Sequence, residues 1–203
     1  MPLLQAHEIK RRLALTDQDR LFLDPLLDVG QIGEVSIDLR VGPDFLVSVL
    51  TRKPAIDVSP PDRRDIASYF RMTRREVGDR FVLYPGQIVL AASLEYVALP
   101  RSLYADIITR SSYSRLGVHL NTMIQPGFRG CIPLELVNHG NNPIEIVVGS
   151  RVVQMRLFDL PVSSAYQSGT TNRKYLGNVR PAVSRAQDDK DLAVLDRIRR
   201  TNP

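Results

Sequence analysis

Between Arg110 and Asn138 the chain reads RSSYSRLGVHLNTMIQPGFRGCIPLELVN, and this stretch concentrates the side chains able to do polar chemistry. Arg110, Ser111, Ser112 and Arg115 place two guanidinium groups and two hydroxyls within six residues. Arginine grips phosphate through paired planar hydrogen bonds, and hydroxyls with backbone N–H groups complete such a cradle. The same residues also fit a plain strand end decorated with exposed polar groups, and residue chemistry alone does not separate the two. Further on, Glu135 interrupts the apolar run CIPLEL. Period-two alternation puts Ile132, Leu134 and Leu136 on one face and Cys131, Pro133 and Glu135 on the other. A carboxylate at that position is either a solvent-facing residue or a general acid and base tuned by burial and a nearby arginine.

Metal chemistry finds little to work with. Cys131 is the one cysteine, and His7, His119 and His139 are the three histidines. A structural zinc cage takes four ligands and a catalytic zinc takes three from Cys, His and carboxylate. We therefore assign no metal ligands. A single thiol also excludes an intramolecular disulfide and reads, inside its strand, as a small buried hydrophobe. The formal net charge of +5 favours an anionic partner, which a phosphorylated small molecule satisfies as well as DNA does. Trp is absent and the basic clusters are short, so nucleic acid is disfavoured. No apolar run approaches the roughly 20 residues of a membrane span. The N-terminus MPLLQAHEIKRRL lacks a signal-peptide core, so we expect a cytoplasmic protein without a membrane partner.

The elements that must hold these residues are mostly strands. Ile9, Leu13 and Leu15 among polar neighbours predict a short amphipathic helix over residues 5–15. After it come VSIDLRV, FLVSVL, RFVLYPG, QIVLAAS, YVALP, ADIITR, CIPLELVN, IEIVV and VVQMRLFDL, separated by Gly, Pro, Asn and Asp clusters. Many short strands with such punctuation predict a sandwich or closed barrel. Residues 52–79 read as a charged excursion with a helical turn around residues 65–70. From residue 161 the texture becomes polar, with Tyr166, Tyr175 and the pair Arg173-Lys174 able to fold over an anion as a lid. Leu192, Leu195 and Ile198 predict a final helix over residues 188–200. The division expected is a β domain with its N-terminal helix over 1–160, a lid over 161–185 and a helical extension over 186–203.

SIDLRVGPDF, YPGQIVLAASLEYVALP, RSSYSRLG, QPGFRGCIPLELVN and RKYLGN, with a trailing Ser184-Arg185, follow in this order over roughly residues 4–185. Together they resemble the dCTP deaminase branch of the dUTPase superfamily. The resemblance implies a mainly β, dUTPase-like distorted jelly-roll barrel, assembled as a homotrimer with active sites between subunits. It implies zinc-independent hydrolytic deamination of dCTP, or a closely related deoxycytidine nucleotide, to dUTP and ammonia, with Mg²⁺ carried on the nucleotide phosphates. Glu135 matches the proton-shuttling glutamate, and Ser111 and Arg115 match the residues that hold it and the attacking water. Arg110, Ser111 and Ser112 match the start of the phosphate loop. Pro133 and Leu134 lie on the strand beside the pyrimidine and sugar, and Tyr166, Lys174 and Asn178 match the lid.

Two departures are visible. GVHLNTMIQPG, read as the turn between strands, is shorter than its counterpart in the family. Gln125 stands where an aspartate is usual; it can hydrogen-bond a sugar hydroxyl but is a poor general base. These predict little or no dUTP diphosphatase activity. They also leave a second reading, a nucleotide-binding homologue that regulates without turnover. Asn121 in the same short segment is able to read a pyrimidine edge, whereas His119 reads as a strand-end polar residue.

Overall fold

The computed structural model describes residues 2–52, 55–58, 66–161 and 175–201. Helix α1 (Ala6–Ala14) forms where the apolar spacing predicts it and buries Ile9 completely. The strands are β1 (Phe22–Asp24), β2 (Ile37–Arg40), β3 (Asp44–Ser48), β4 (Phe70–Arg74), β5 (Arg80–Leu83), β6 (Ile88–Ala98) and β7 (Leu103–Thr109). A one-turn helix α2 (Ser111–Ser114) precedes β8 (Val118–His119), β9 (Asn121–Ile124), β10 (Arg129–Asn138), β11 (Ile144–Val147) and β12 (Arg151–Asp159). Helix α3 (Lys190–Thr201) ends the described chain, with Leu195 and Ile198 exposed. No helix among the described residues is long and apolar enough to cross a membrane.

One sheet runs β4-β3-β6-β10-β8 with β1 also on β6, a second runs β2-β12-β7-β9, and β11 pairs with β5. Alternating side chains from these sheets meet in one core, where Leu39, Phe45, Val89, Ile107, Ile132, Leu134 and Met155 are shut off from water. Each such side chain stabilises the fold by roughly 1.5–3 kcal/mol through burial, which is why the period-two pattern dominates the sequence.

Three details differ from the sequence expectation. QIVLAAS and YVALP are one continuous strand, β6, because its irregular middle is held by side-chain bonds described below. Residues 118–124 are strand rather than turn. Val118, Leu120 and Ile124 are buried, so the segment passes from β8 on β10 to β9 on β7. The turn itself is Gln125–Phe128, closed by Phe128 N–H to Gln125 O at 3.1 Å. Pro126 and Gly127, at φ 71°, supply its two central conformations. In the charged excursion, Ile66 and Ala67 are helical among the described residues, and Phe70 opens β4 against β3 instead of continuing the helical turn.

Arg12 ties α1 to the sheets. Its guanidinium is nearly buried and donates to Glu8 Oε1 at 3.0 Å, Ser102 Oγ at 3.2 Å and Asp159 Oδ1 at 3.0 Å. Hydrogen bonds from Arg11 and then Arg12 hold the Glu8 carboxyl down to about 2. Arg12→Ala leaves carboxylates without their shared cation and is expected to cost about 2–3 kcal/mol in urea denaturation at neutral pH. Because Glu8 is depressed on folding, its share of that loss fades as pH falls from 4.5 toward about 2, and the two unfolding curves then approach one another.

Candidate active site

Glu135, Pro133 and Cys131 leave the outer face of β10 and line a cavity of about 260 Å³. Leu90 and Ala92 of β6 stand beside them in register, Glu135 opposite Leu90 and Pro133 opposite Ala92. Phe70 closes the β4 side, and Tyr175, Asn178, Arg180, Ala182 and Ser184 form the roof. The opposite face of β10 sends Ile132, Leu134 and Leu136 into the core. Leu134 therefore reaches the cavity side only through its backbone.

The register of β10 on β6 breaks between Cys131 and Pro133, so Ser93, Leu94 and Glu95 of β6 all fall opposite Ile132. Proline carries no N–H for the ladder and suits such an irregularity. Ile132 N–H instead donates to Ser93 Oγ at 2.8 Å, and Ser93 Oγ donates to the Glu95 carbonyl at 2.6 Å. The Glu95 side chain turns inward and is fully buried. It accepts from Arg40 N–H at 2.9 Å and Gln31 Nε2 at 2.9 Å. Burial pushes its pKa up, against those hydrogen bonds.

Glu135 is exposed in the single chain, yet the walls beside its carboxyl raise its pKa above the ordinary carboxylate range. Water on one side of the group does not replace the hydration removed on the others, so desolvation dominates. Cys131 is half-buried on the cavity wall rather than a core residue. Its thiol is pushed up by burial first and by the charge of Glu95 second.

The roof is strapped to β10 along the edge that β6 leaves open. Gly177 N–H donates to Arg129 O at 2.7 Å, and Cys131 N–H donates to Asn178 O at 2.9 Å. Between these bonds lies Gly130, at φ +142°; a Cβ there would sit 2.6 Å from Asn178 O. Only glycine lets the strap cross so closely. Tyr175 turns the strap back on itself, its hydroxyl accepting from Arg185 N–H at 3.1 Å and its ring lying under the Arg185 guanidinium.

None of the sequence-predicted loop residues lines this cavity. Arg110, Ser111, Ser112 and Arg115 surround α2 at the end of β7, and Ser111, Ser112 and Arg115 are exposed. Arg110 is aimed by Asp38, 3.3 Å from its Nε, and by Nη1 to Arg151 O at 3.1 Å. Tyr113 braces the turn through Ser150 Oγ at 3.1 Å. Gly117 then packs so tightly on the Gly140 backbone that a Cβ would come within 2.5 Å. That contact docks the loop beside the far end of β10. Gln125 is half-buried in its turn, away from the cavity lining. His119 and His139 are exposed, with ring centroids 5.3 Å apart. Asn178 roofs the cavity as expected, while Tyr166 and Lys174 lie outside the described residues. Tyr175, read in the sequence as a lid residue, lines the roof, whereas Phe70, Arg180 and Ser184 are not singled out there as lining residues. Ser184 belongs to the Ser-Arg signature and Arg180 lies between it and RKYLGN, but nothing in the sequence marks Phe70.

The dCTP deaminase-like family model matches residues 3–160, which carry β10, the bulge and the α2 loop. The chain belongs to this family. It is 36% identical over 197 residues to a dUMP-forming dCTP deaminase of Methanobrevibacter smithii, covering 95% of this chain and 99% of that protein. It is 34% identical over 196 residues to a dCTP deaminase of Natronomonas pharaonis, covering 94% and 97%. The crystal structure of 2′-deoxycytidine 5′-triphosphate deaminase from Agrobacterium tumefaciens superposes with a TM-score of 0.57 at 25% identity. That alignment covers 76% of this chain and 47% of the other. The mainly β, deaminase-type fold expected from the motifs is thus the one observed.

Gly130→Ala forces the strap off its seat. In hydrogen exchange without nucleotide, the amides of Gly177 and Cys131 are expected to lose at least about tenfold in protection while those of core strand β7 keep theirs. Unchanged protection at both would refute the seat.

Proposed function

We propose that this chain hydrolyses dCTP to dUTP and ammonia in a homotrimer whose active sites lie between subunits. The observation that carries the reading is the place of Glu135, a partly desolvated carboxyl of raised pKa on the floor of a cavity just below the roughly 300 Å³ of small ligand sites. A base and sugar would occupy that space and leave the phosphates at its open side. Family membership supports the substrate; of the relatives named above, one is a dCTP deaminase and one a dUMP-forming dCTP deaminase, so they support deamination of dCTP and not the choice of product.

In this reading Glu135 takes a proton from water as the oxygen adds to C4 of the pyrimidine. It passes that proton to the ring nitrogen N3, then carries the proton of the added hydroxyl to the amino group, so that the C4–N bond breaks, ammonia leaves and a carbonyl remains. A carboxyl that holds its proton more tightly than usual suits both halves of this exchange. Ser111 and Arg115 of a neighbouring subunit orient the water and Glu135, and Arg110, Ser111 and Ser112 bind phosphate. Their exposure in the single chain, beside exposed Leu116 and Met123, supports an interface there. Asn178 closes the roof, and Tyr166 and Lys174 are assigned with it to binding the triphosphate on the resemblance alone. Magnesium would ride on the triphosphate. Among the described residues no group of three or more His, Cys, Asp or Glu gathers to cage an ion, so phosphate oxygens and water would hold it. Gln125 stands outside the cavity of its own chain, so in this reading it reaches the sugar from a neighbouring subunit. An amide is too weak a base to drive a second hydrolysis, and dUTP is the proposed product although the Methanobrevibacter smithii relative is dUMP-forming.

Ammonia release from dCTP with Mg²⁺ is expected to fall at least about a hundredfold in Glu135→Gln. In the parent the acid limb of kcat/KM is expected above the ordinary carboxylate range, because activity needs the carboxylate and disappears as pH drops through its raised pKa. Equal activity of parent and variant would sink the assignment. Tight dCTP binding without ammonia would favour the regulatory homologue, and dUMP with pyrophosphate surviving Gln125→Ala would overturn the product assignment. Sharing of sites is tested by mixing two inactive variants, Glu135→Gln and Arg115→Ala, through unfolding and refolding. Activity is expected to return only in the mixture, since some interfaces then pair an intact Glu135 with an intact Arg115; a mixture as inert as its parts would place both residues within one subunit.

A further inference from the structure

We propose that Arg180 is a phosphate-binding residue that selects for nucleotides by their phosphorylation, and that Asp44 sets how readily it engages. Among the described residues lining the cavity, Glu135 is an acid and Arg180 is the one cation. An anionic ligand seated over Glu135 needs a positive partner on the same wall, and Arg180 supplies it from the strap side. The side chain is 67% exposed at the rim, where a phosphate chain leaving the enclosed base and sugar would pass.

Asp44 at the start of β3 is the residue that positions it. Its carboxylate is 14% exposed and faces two arginines. Arg74 Nη1 donates to both oxygens, at 3.1 and 3.3 Å, whereas Arg180 Nε stands 3.6 Å from Oδ2 without a hydrogen bond. The carboxylate is committed to Arg74 and holds Arg180 loosely. An exposed pair of that kind contributes little, so a phosphate offering paired charge-assisted hydrogen bonds competes for the guanidinium. The strap fastening at Gly177 and Asn178 keeps Arg180 near the cavity while this exchange takes place.

The inference rests on the nucleotide reading above, and binding to a catalytically idle form separates the two. Equilibrium dialysis compares Glu135→Gln with Glu135→Gln/Arg180→Gln, using dCTP, dCMP and deoxycytidine at two salt concentrations. The Kd for dCTP is expected to rise about tenfold without Arg180, with dCMP affected less and deoxycytidine unchanged, and the difference is expected to shrink in high salt. Adding Asp44→Asn to the Arg180-containing form is expected to tighten dCTP a few-fold. Equal loss for dCTP and deoxycytidine would show that Arg180 only shapes the strap, and no loss would remove it from the site. Failure of the idle form itself to bind any of the three would sink the nucleotide reading, and this inference with it.

Discussion

The hydrogen bond from Ile132 N–H to Ser93 Oγ holds β10 and β6 together where their register breaks, and gives that buried backbone donor its partner. Three residues of β6 fit opposite one of β10 there, and Pro133, which needs no partner for a backbone N–H, follows directly. The orientation of everything downstream depends on this point. A one-residue slip in β10 would turn Glu135 into the core and bring Leu134 or Leu136 out. The inward turn of Glu95 belongs to the same irregularity, because it ties the bulge to β2 through Arg40 and to Gln31. A buried carboxyl is an expensive way to join two sheets, and it is tolerated because it accepts hydrogen bonds from a backbone amide and a side-chain amide.

β10 thus carries two structures at once. Its inner face is ordinary core, and its outer face is the cavity floor. Its outer edge near Gly130 takes the strap that roofs the cavity. The same short stretch, Arg129 to Glu135, therefore couples barrel packing, strap docking and the ionisation of the proposed acid and base. Such sharing explains why the cavity is small and its walls mostly apolar. Those walls desolvate Glu135 and raise its proton affinity without any nearby negative charge being required.

The arginine and serine loop follows different rules. It is held by Asp38, Tyr113 and the Gly117–Gly140 contact, so its geometry is set within one chain although Ser111, Ser112 and Arg115 face outward. A well-braced, exposed set of guanidinium and hydroxyl groups is what the shared site proposed above would require. Rigidity matters because a loop ordered only on assembly would lose binding strength to conformational entropy.

The strands, the alternation of CIPLEL and the acid that breaks it were legible in the residues, because burial of every second side chain is a local, periodic demand. So were α1 and α3, and so was the order of the motifs that mark the family. The residues 118–124 were misread as a turn because their buried apolar positions cross from one sheet to another, which no local period records. Phe70 and Arg180 were not singled out for a related reason: the charged excursion and the lid stand out as segments, but nothing in either pattern brings that one residue to Glu135, far away in sequence. Sequence by itself determined which groups are available for chemistry. Tertiary structure decided which of them share a cavity, since that depends on register, on the bulge at Ser93 and on one glycine that lets the strap pass.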